Sequence, residues 1–443
     1  LMLKNYFKSE FNKNVTTLFT GTVIAQAIPI AISPILSRLY SPDEFGVWAL
    51  YVSLVMFFSV FSTGRYQFAI MLPKEKKEAI NILGLSFIIL IVFCLLFSLI
   101  IWIFYDVLRL YESFRKIEYW IYFLPLSIFL VSSISILNVW NSRGKKYKNI
   151  VGSKVSQTTI TSIVNIVVGM IKNKLNLKLL YQAIFTKNIT PKGITEIGLK
   201  GLIGGLIIGQ VIGVFVLMIS FARHNFKRLK WINKKEMKAS ALKHKAFPTI
   251  NVMHASMDNV QSTGVTLLIM HFFSAYALGL YSYAYRIIQA PLGMIVSSYA
   301  QVFFQKSAEM HANGEKLNAF YRKTLKTFIL MGLPIFLIFG FFGEEIFGFI
   351  FGNEWSESGF YVQLLTPWFF MNFLFSPMGQ LPLILNQQKK VFGISIIGNS
   401  LILLSIIIGG LFYNSIEVGF ILISTTQFFY YSYLIFWFDK ITK

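Results

Sequence analysis

Three formal charges lie deep inside the long apolar stretches of this sequence: Arg65, Asp258 and Arg286. A charge at the centre of a membrane helix costs at least a few kcal/mol and normally faces a cavity or a partner. A guanidinium fork is well matched to a diphosphate and stays charged at any working pH. Arg65 and Arg286 are therefore candidate anion-holding groups. Arg65 stands about seven residues from one end of its stretch, so snorkelling to the interface is a second reading. Arg286 is about eight residues from the opposite end of its own stretch, where snorkelling is less comfortable. Asp258 sits near the middle of its stretch. It can neutralise an arginine, bind a coupling cation or titrate, and the sequence leaves all three roles open.

Other chemistry fares poorly. The five histidines (His224, His244, His254, His271 and His311) form no H-E-x-x-H or comparable ligand spacing, and the single cysteine, Cys94, has no partner for a disulfide or a thiolate metal site. The sequence contains no Gly-x-x-x-x-Gly-Lys-Ser/Thr, so ATP hydrolysis by this chain is not expected. Glu344 and Glu345 are adjacent carboxylates in a loop that reads as solvated surface. Pro29, Pro34, Pro367, Pro377 and Pro382 break backbone hydrogen bonds inside apolar stretches and are candidates for gating kinks, with static kinks an equally good reading. Gly201, Gly205, Gly209 and Gly213 form a small-xxx-small row, which most simply means close helix packing. Tyr281, Tyr283, Tyr285 and Tyr299 have the chemistry to stack on sugars, although packing or an interfacial belt explains most such tyrosines.

The elements that must position these residues follow from composition. The chain has 443 residues, 55% apolar and only 14% charged, with 45 phenylalanines, and a mean hydropathy of +0.61. A soluble fold is ruled out. A hydrocarbon core about 30 Å thick needs roughly 20 helical residues per crossing. Twelve stretches qualify, over 15–36, 45–72, 82–105, 119–141, 150–171, 199–221, 248–271, 278–303, 324–343, 360–386, 391–412 and 416–438. The runs are continuous rather than alternating, which excludes a barrel and predicts an all-α integral membrane protein. With both termini in the cytoplasm, the inner segments and adjoining span ends hold 29 of the 41 Lys+Arg, and the outer ones 10. The whole excess of +22 then lies on the cytoplasmic side, as the positive-inside rule requires. That pattern also makes nucleic acid an unexpected partner. Segment 172–200 disagrees, carrying six lysines on the outer side.

The chain also repeats itself. Ser41-Pro-Asp-Glu-Phe-Gly-Val-Trp and Ser274-Ala-Tyr-Ala-Leu-Gly-Leu-Tyr align at an offset of 233, matching Gly46 with Gly279 and Trp48 with Tyr281. Pro125 matches Pro367, and Gly144-Lys-Lys-Tyr matches Gln388-Lys-Lys-Val, at offsets of 242 and 244. The expected organisation is a six-helix lobe at 1–221, a basic cytoplasmic linker at 222–247 and a second six-helix lobe at 248–443. Because six is even, the copies share one topology, related by a pseudo-two-fold axis along the membrane normal. Two such lobes suggest alternating access between them.

Several stretches resemble a family. Arg65-Tyr-Gln-Phe-Ala-Ile-Met-Leu-Pro-Lys followed by Glu78-Ala79 is similar to the end of the second span in Wzx-type oligosaccharide flippases. So are Gly279-Leu-Tyr-Ser-Tyr-Ala-Tyr-Arg-Ile-Ile-Gln-Ala-Pro, continuing to Ser297, Ser298 and Gln301, and the pattern Phe347, Phe351-Gly-Asn-Glu-Trp, Gly359, Pro367, Ser376-Pro377. The resemblance covers nearly the whole chain, and the order and spacing of the motifs carry it. The long basic segment 172–200 departs from the compact connection this family implies.

The resemblance places the chain beside the multidrug/oligosaccharidyl-lipid/polysaccharide exporters. It implies two six-helix bundles around a central cavity in the bacterial inner membrane, and export of undecaprenyl-diphosphate-linked oligosaccharide repeat units to the outer leaflet. Polysaccharide polymerase and chain-length proteins become implied partners. No cofactor is expected beyond a coupling proton or sodium ion, and no metal. A multidrug cation antiporter of the same superfamily is the alternative. It would want an acidic cavity, whereas the three deep charges sum to +1. A membrane glycosyltransferase or polymerase would want a large outer loop with catalytic residues, and the span pattern leaves none.

Overall fold

The computed structural model describes the backbone of residues 10–186 and 192–443, and their side chains apart from 10–16, 112, 175–186, 192–196, 224, 254 and 258. Among the described residues there are twelve long helices and no strand. They are α1 (Glu10–Leu39), α2 (Pro42–Ser59), α3 (Lys76–Leu108), α4 (Leu124–Arg143), α5 (Tyr147–Thr186) and α6 (Lys192–Asn225), then α7 (Val252–Phe272), α8 (Ala275–Ala312), α9 (Asn318–Phe351), α10 (Ser356–Phe375), α11 (Gln388–Phe412) and α12 (Ile416–Ile441). Each of the twelve expected spans overlaps one of them. Nine of the described helices are long and apolar enough to cross a membrane by length and composition. The reason is the solvent: in hydrocarbon every backbone N–H and C=O must be satisfied within the segment, and a helix does this. The chain is an all-α, multi-pass membrane protein.

Two expected spans are shorter than the sequence suggested. The stretch 45–72 is not one helix. α2 stops at Ser59, and Gly64 and Arg65 both adopt left-handed backbone (φ 54° and 58°) before a short helix at Tyr66–Ala69. Two consecutive residues with positive φ cannot continue a right-handed helix. Likewise 360–386 breaks at Phe375, where a 3₁₀ turn over Ser376–Met378 follows.

The chain divides into two compact units, one of 1–40 with 47–263 and the other of 41–46 with 264–443. In the first, α5 packs along α6 on the glycine row. A Cβ added at Gly205 or Gly209 would stand 2.0 Å from Asn165 Oδ1 or Thr161 Oγ1, so only glycine allows this approach. The Tyr40 hydroxyl donates to Asn165 O at 2.6 Å. Lys172, 6% exposed, donates to Leu39 O at 3.3 Å and lies over the Tyr40 ring. One of the six discordant lysines thus neutralises the C-terminal end of α1. Residues 226–247 fold back onto α3. Fully buried Asn81 donates to Trp231 O and Glu236 Oε2 and accepts from the Asn233 N–H. Lys243 pairs with Glu78 at 2.6 Å.

In the second unit the N-terminal end of α2 crosses the N-terminal end of α8 without side chains between them. A Cβ on Gly46 would come within 1.9 Å of Ala275 O, and one on Gly279 within 1.7 Å of Pro42 O. Ala275 and Pro42 are themselves 233 residues apart, so the contact is symmetric under the sequence repeat. Phe45, Tyr283 and fully buried Trp355 pack beside this crossing, with ring centroids 4.1 to 5.3 Å apart. At the other end of the unit, Arg322 on α9 makes two hydrogen bonds to Asp439 on α12, at 2.6 and 2.8 Å.

Candidate functional site

Arg65 lies six residues beyond the end of α2, in the turn itself. Its left-handed backbone costs a non-glycine residue on the order of 1–2 kcal/mol, and the surroundings hold it there. Ser62 and Ser132 hydroxyls meet at 2.7 Å, Thr63 donates to Gln67, and the Tyr66 hydroxyl donates to Ala241 O at 2.9 Å. The guanidinium lies over the Phe68 ring at 4.6 Å, and its Nε is buried with no hydrogen-bond partner. Among the described residues no carboxylate stands within ion-pair distance of it. The arrangement is a half-buried cation, stacked on one aromatic ring, with donor capacity to spare.

The same turn packs on the segment that leads into α7. A Cβ on Gly64 would touch Pro248, the second residue of a π-turn over Phe247–Asn251 that feeds α7 directly. Asp258 stands in α7 two turns further on, and its side chain lies outside the described residues.

Arg286 belongs to the second unit. It sits eleven residues along α8 from Ala275, about 17 Å at 1.5 Å per residue. Its tyrosine neighbours divide by burial. Tyr281 packs on Phe420 at 5.4 Å, Tyr283 is 2% exposed against Trp355, and Tyr299 meets Phe328 edge-on. These three are packing residues. Tyr285 is 39% exposed and lies beside Trp368 and Phe369 of α10. One turn further along α10, Asn372 donates to the Tyr431 hydroxyl of α12 at 2.6 Å. Tyr285, Trp368, Asn372 and Tyr431 make a polar and aromatic strip across α8, α10 and α12 that the sequence did not disclose. Its members are up to 146 positions apart and share no motif.

The prolines fall in two groups. Pro29 and Pro34 lie inside α1 and Pro367 inside α10, whereas Pro377 occupies the 3₁₀ turn after α10. The carbonyl that Pro34 leaves without its helical donor is Ile30 O, and the Ser33 hydroxyl donates to it at 2.6 Å. Pro291 in α8 and Pro334 in α9 are further interruptions, and α9 bends where Phe342 leaves helical geometry. Among the described residues no cluster of His, Cys, Asp and Glu has the geometry of a metal site.

The fold is shared with solved transporters. A lipid II flippase, MurJ, in an inward closed conformation superposes with a TM-score of 0.66 at 13% identity, covering 96% of this chain and 87% of that one. An inward-facing multidrug resistance MATE family transporter of the MOP superfamily gives 0.52 at 14% identity, with 96% and 95% covered. A mutant of the Vibrio cholerae MATE transporter VcmN also gives 0.52 at 14%, with 97% and 95% covered. A comparison with curated protein sequences gives no match. The family model described as "Polysaccharide biosynthesis protein" matches residues 35–190 and 193–360, a span that includes Arg65, Arg286 and both glycines of the α2–α8 crossing. The resemblance to Wzx-type flippases therefore holds in sequence family and in fold, and the chain belongs to the polysaccharide biosynthesis protein family.

Proposed function

We propose that this protein moves undecaprenyl-diphosphate-linked oligosaccharide repeat units across the bacterial inner membrane, from the cytoplasmic to the outer leaflet, by alternating access. The observation that carries the reading is Arg65, a half-buried guanidinium over Phe68 with an unsatisfied Nε and no described carboxylate beside it. Such a group favours an anionic ligand over the cationic substrates of an antiporter. Membership of a polysaccharide biosynthesis family and a fold shared with a lipid II flippase support the same substrate class. Arg286 is the second proposed diphosphate contact, with Tyr285 beside it to meet the sugar. Both termini are cytoplasmic in this reading, and the product passes to polysaccharide polymerase and chain-length proteins.

The electrical term is large enough to drive transport. Moving one charge is worth about 2.3 kcal/mol per 100 mV, so a head group with two negative charges gains roughly 4–5 kcal/mol per 100 mV on leaving a negative interior. Purified protein in liposomes tests this. With equal pH and sodium on both sides, an imposed potential should accelerate head-group translocation. Indifference to potential, with dependence on a proton or sodium gradient that Asp258→Asn removes, would replace the electrical mechanism by a coupled one. Transport of cationic dyes and no lipid-linked sugar would establish the antiporter instead. Topology is tested by single cysteines: Glu354→Cys should react with an impermeant thiol reagent in intact cells, and Lys235→Cys only after lysis.

A further inference from the structure

Two adjoining cavities in the first unit have complementary chemistry. The first, about 550 Å³, lies where α3 begins and α4 and α6 end, and five cations line it: Lys74, Lys76, Arg143, Lys146 and Arg228. No carboxylate is among its lining residues. Two of the cations are fixed in place. Arg143 donates to Ile70 O, Met71 O and Lys74 O at 3.0 to 3.3 Å, holding the loop that presents Lys74, and Arg228 donates to Asn225 Oδ1 at 2.6 Å. Lys74, Lys76 and Lys146 form no ion pair with any described carboxylate. The second cavity, about 400 Å³, is lined by apolar side chains, among them Leu83, Phe87, Leu137, Met218 and Phe226. Phe221 lines both.

The order along α3 and α4 gives the pair its meaning. On α3 the cations stand at the start and Phe87 eleven residues deeper, about 16 Å at 1.5 Å per residue. On α4 Arg143 closes the helix and Leu137 lies about 9 Å deeper by the same rise. On α3 and α4 the charge stands at the helix end and the apolar surface lies deeper along the helix, while Phe226, Leu229 and Ile232, which follow α6, cover the apolar cavity; the two cavities join at Phe221. Ile88, Met218 and Phe226 on the apolar side are 46%, 46% and 70% exposed, so the cavity opens on the flank of the unit.

We propose that this pair of cavities is a lipid-binding site: the basic cavity takes the phosphate head group of an anionic lipid, and the apolar cavity takes the first part of its chain. This site is independent of Arg65 and Arg286 and of the transport reading. The phosphate could come from a bulk anionic phospholipid or from a polyprenyl diphosphate, and the test separates them.

Equilibrium binding is measured on the purified chain in a nonionic detergent, with dioctanoyl phosphatidylglycerol, dioctanoyl phosphatidylcholine, undecaprenyl diphosphate and inorganic diphosphate as probes. Phosphatidylglycerol should bind more tightly than phosphatidylcholine. The double variant Lys74→Gln with Lys146→Gln should weaken anionic lipids by about tenfold, since each lysine near a lipid phosphate contributes on the order of a few-fold. Ala222→Trp fills the apolar cavity and should weaken both anionic lipids while leaving inorganic diphosphate unchanged. Ala222 is exposed on α6, so the change is accommodated without repacking the core. Tighter binding of undecaprenyl diphosphate than of phosphatidylglycerol identifies the polyprenyl lipid as occupant, and the reverse identifies a phospholipid. The proposal is overturned if neither variant alters anionic-lipid binding. It is equally overturned if inorganic diphosphate binds as tightly as either lipid and Ala222→Trp has no effect, because the site then serves a soluble anion.

Discussion

The turn that carries Arg65 and the helix that carries Arg286 begin from matching sequence and end differently. α2 and α8 start with equivalent residues, cross at equivalent glycines and place equivalent carbonyls against each other. Beyond that point they diverge. α2 has 18 residues and gives way to left-handed backbone at Gly64 and Arg65, whereas α8 runs for 38 residues and tolerates Pro291. At the offset of 233, Arg286 corresponds to Ser53 and Arg65 to Ser298. The repeat conserves the crossing and not the charges. The two arginines are therefore not copies of one another: one sits in a turn, the other about 17 Å along a continuous helix.

The largest effect that would sharpen this contrast is loss of charge. Arg286→Ala and Arg65→Ala should each reduce head-group translocation in liposomes by about a hundredfold, the scale of removing one partner of a desolvated charge-assisted contact. Membrane protein levels should stay near normal. Full activity of both variants would remove the arginines from the transport path.

The glycine crossing is next. Gly279→Ala and Gly46→Ala should each lower unfolding stability by about 1–3 kcal/mol, since the added methyl forces two backbones apart. The double variant should cost less than the sum, because separation of the backbones is a shared penalty. Gly293→Ala on α8, with nothing within 4 Å of its Cβ, should instead raise stability by about 0.5–1 kcal/mol, the helix-propensity gain of alanine over glycine. Thermal melts in detergent measure all four. Strict additivity would mean that the two glycines do not act as one contact.

Conservative substitution then tests the difference in setting. Arg65→Lys should keep activity within about tenfold, because its half-exposed turn lets an ammonium reach an anion, although the bidentate fork is lost. Arg286→Lys should lose more. Equal behaviour of the two lysine variants would show that the turn and the helix present their charges alike. The most local effect is expected at Asn81. Asn81→Ala removes the amide that ties residues 226–247 to α3 and should make backbone amides near Asn233 exchange faster, by about 1–2 kcal/mol of protection.

Helix number, helix order and the glycine row were legible in the sequence because they depend on local composition. Gly201, Gly205 and Gly209 read as a packing face, and the distances at that face explain why nothing larger fits. The break at Gly64–Arg65 was not legible. Ser62, Thr63 and Gln67 flank it, but the apolar runs on either side carry the hydropathy average across them, and the left-handed pair packs on Ser132, Pro248 and Ala241, which are distant in sequence. Lys172 misled for a related reason. Read as a loop charge it contradicts the topology, yet it is a buried cap on the end of α1. The strip of Tyr285, Trp368, Asn372 and Tyr431 exists only because α8, α10 and α12 pack together. Asp258 was legible as a charge in an apolar run, and no more than that.

The Gly46–Gly279 crossing has a mechanical consequence because of where it lies on α8. From Gly279 to Ala312 the helix runs about 50 Å at 1.5 Å per residue. With the crossing at one end, a degree of tilt of α8 as a rigid body about the glycines would displace the far end by about 0.9 Å over that length. A methyl group added at the crossing would in that way be written large at the other end of the helix.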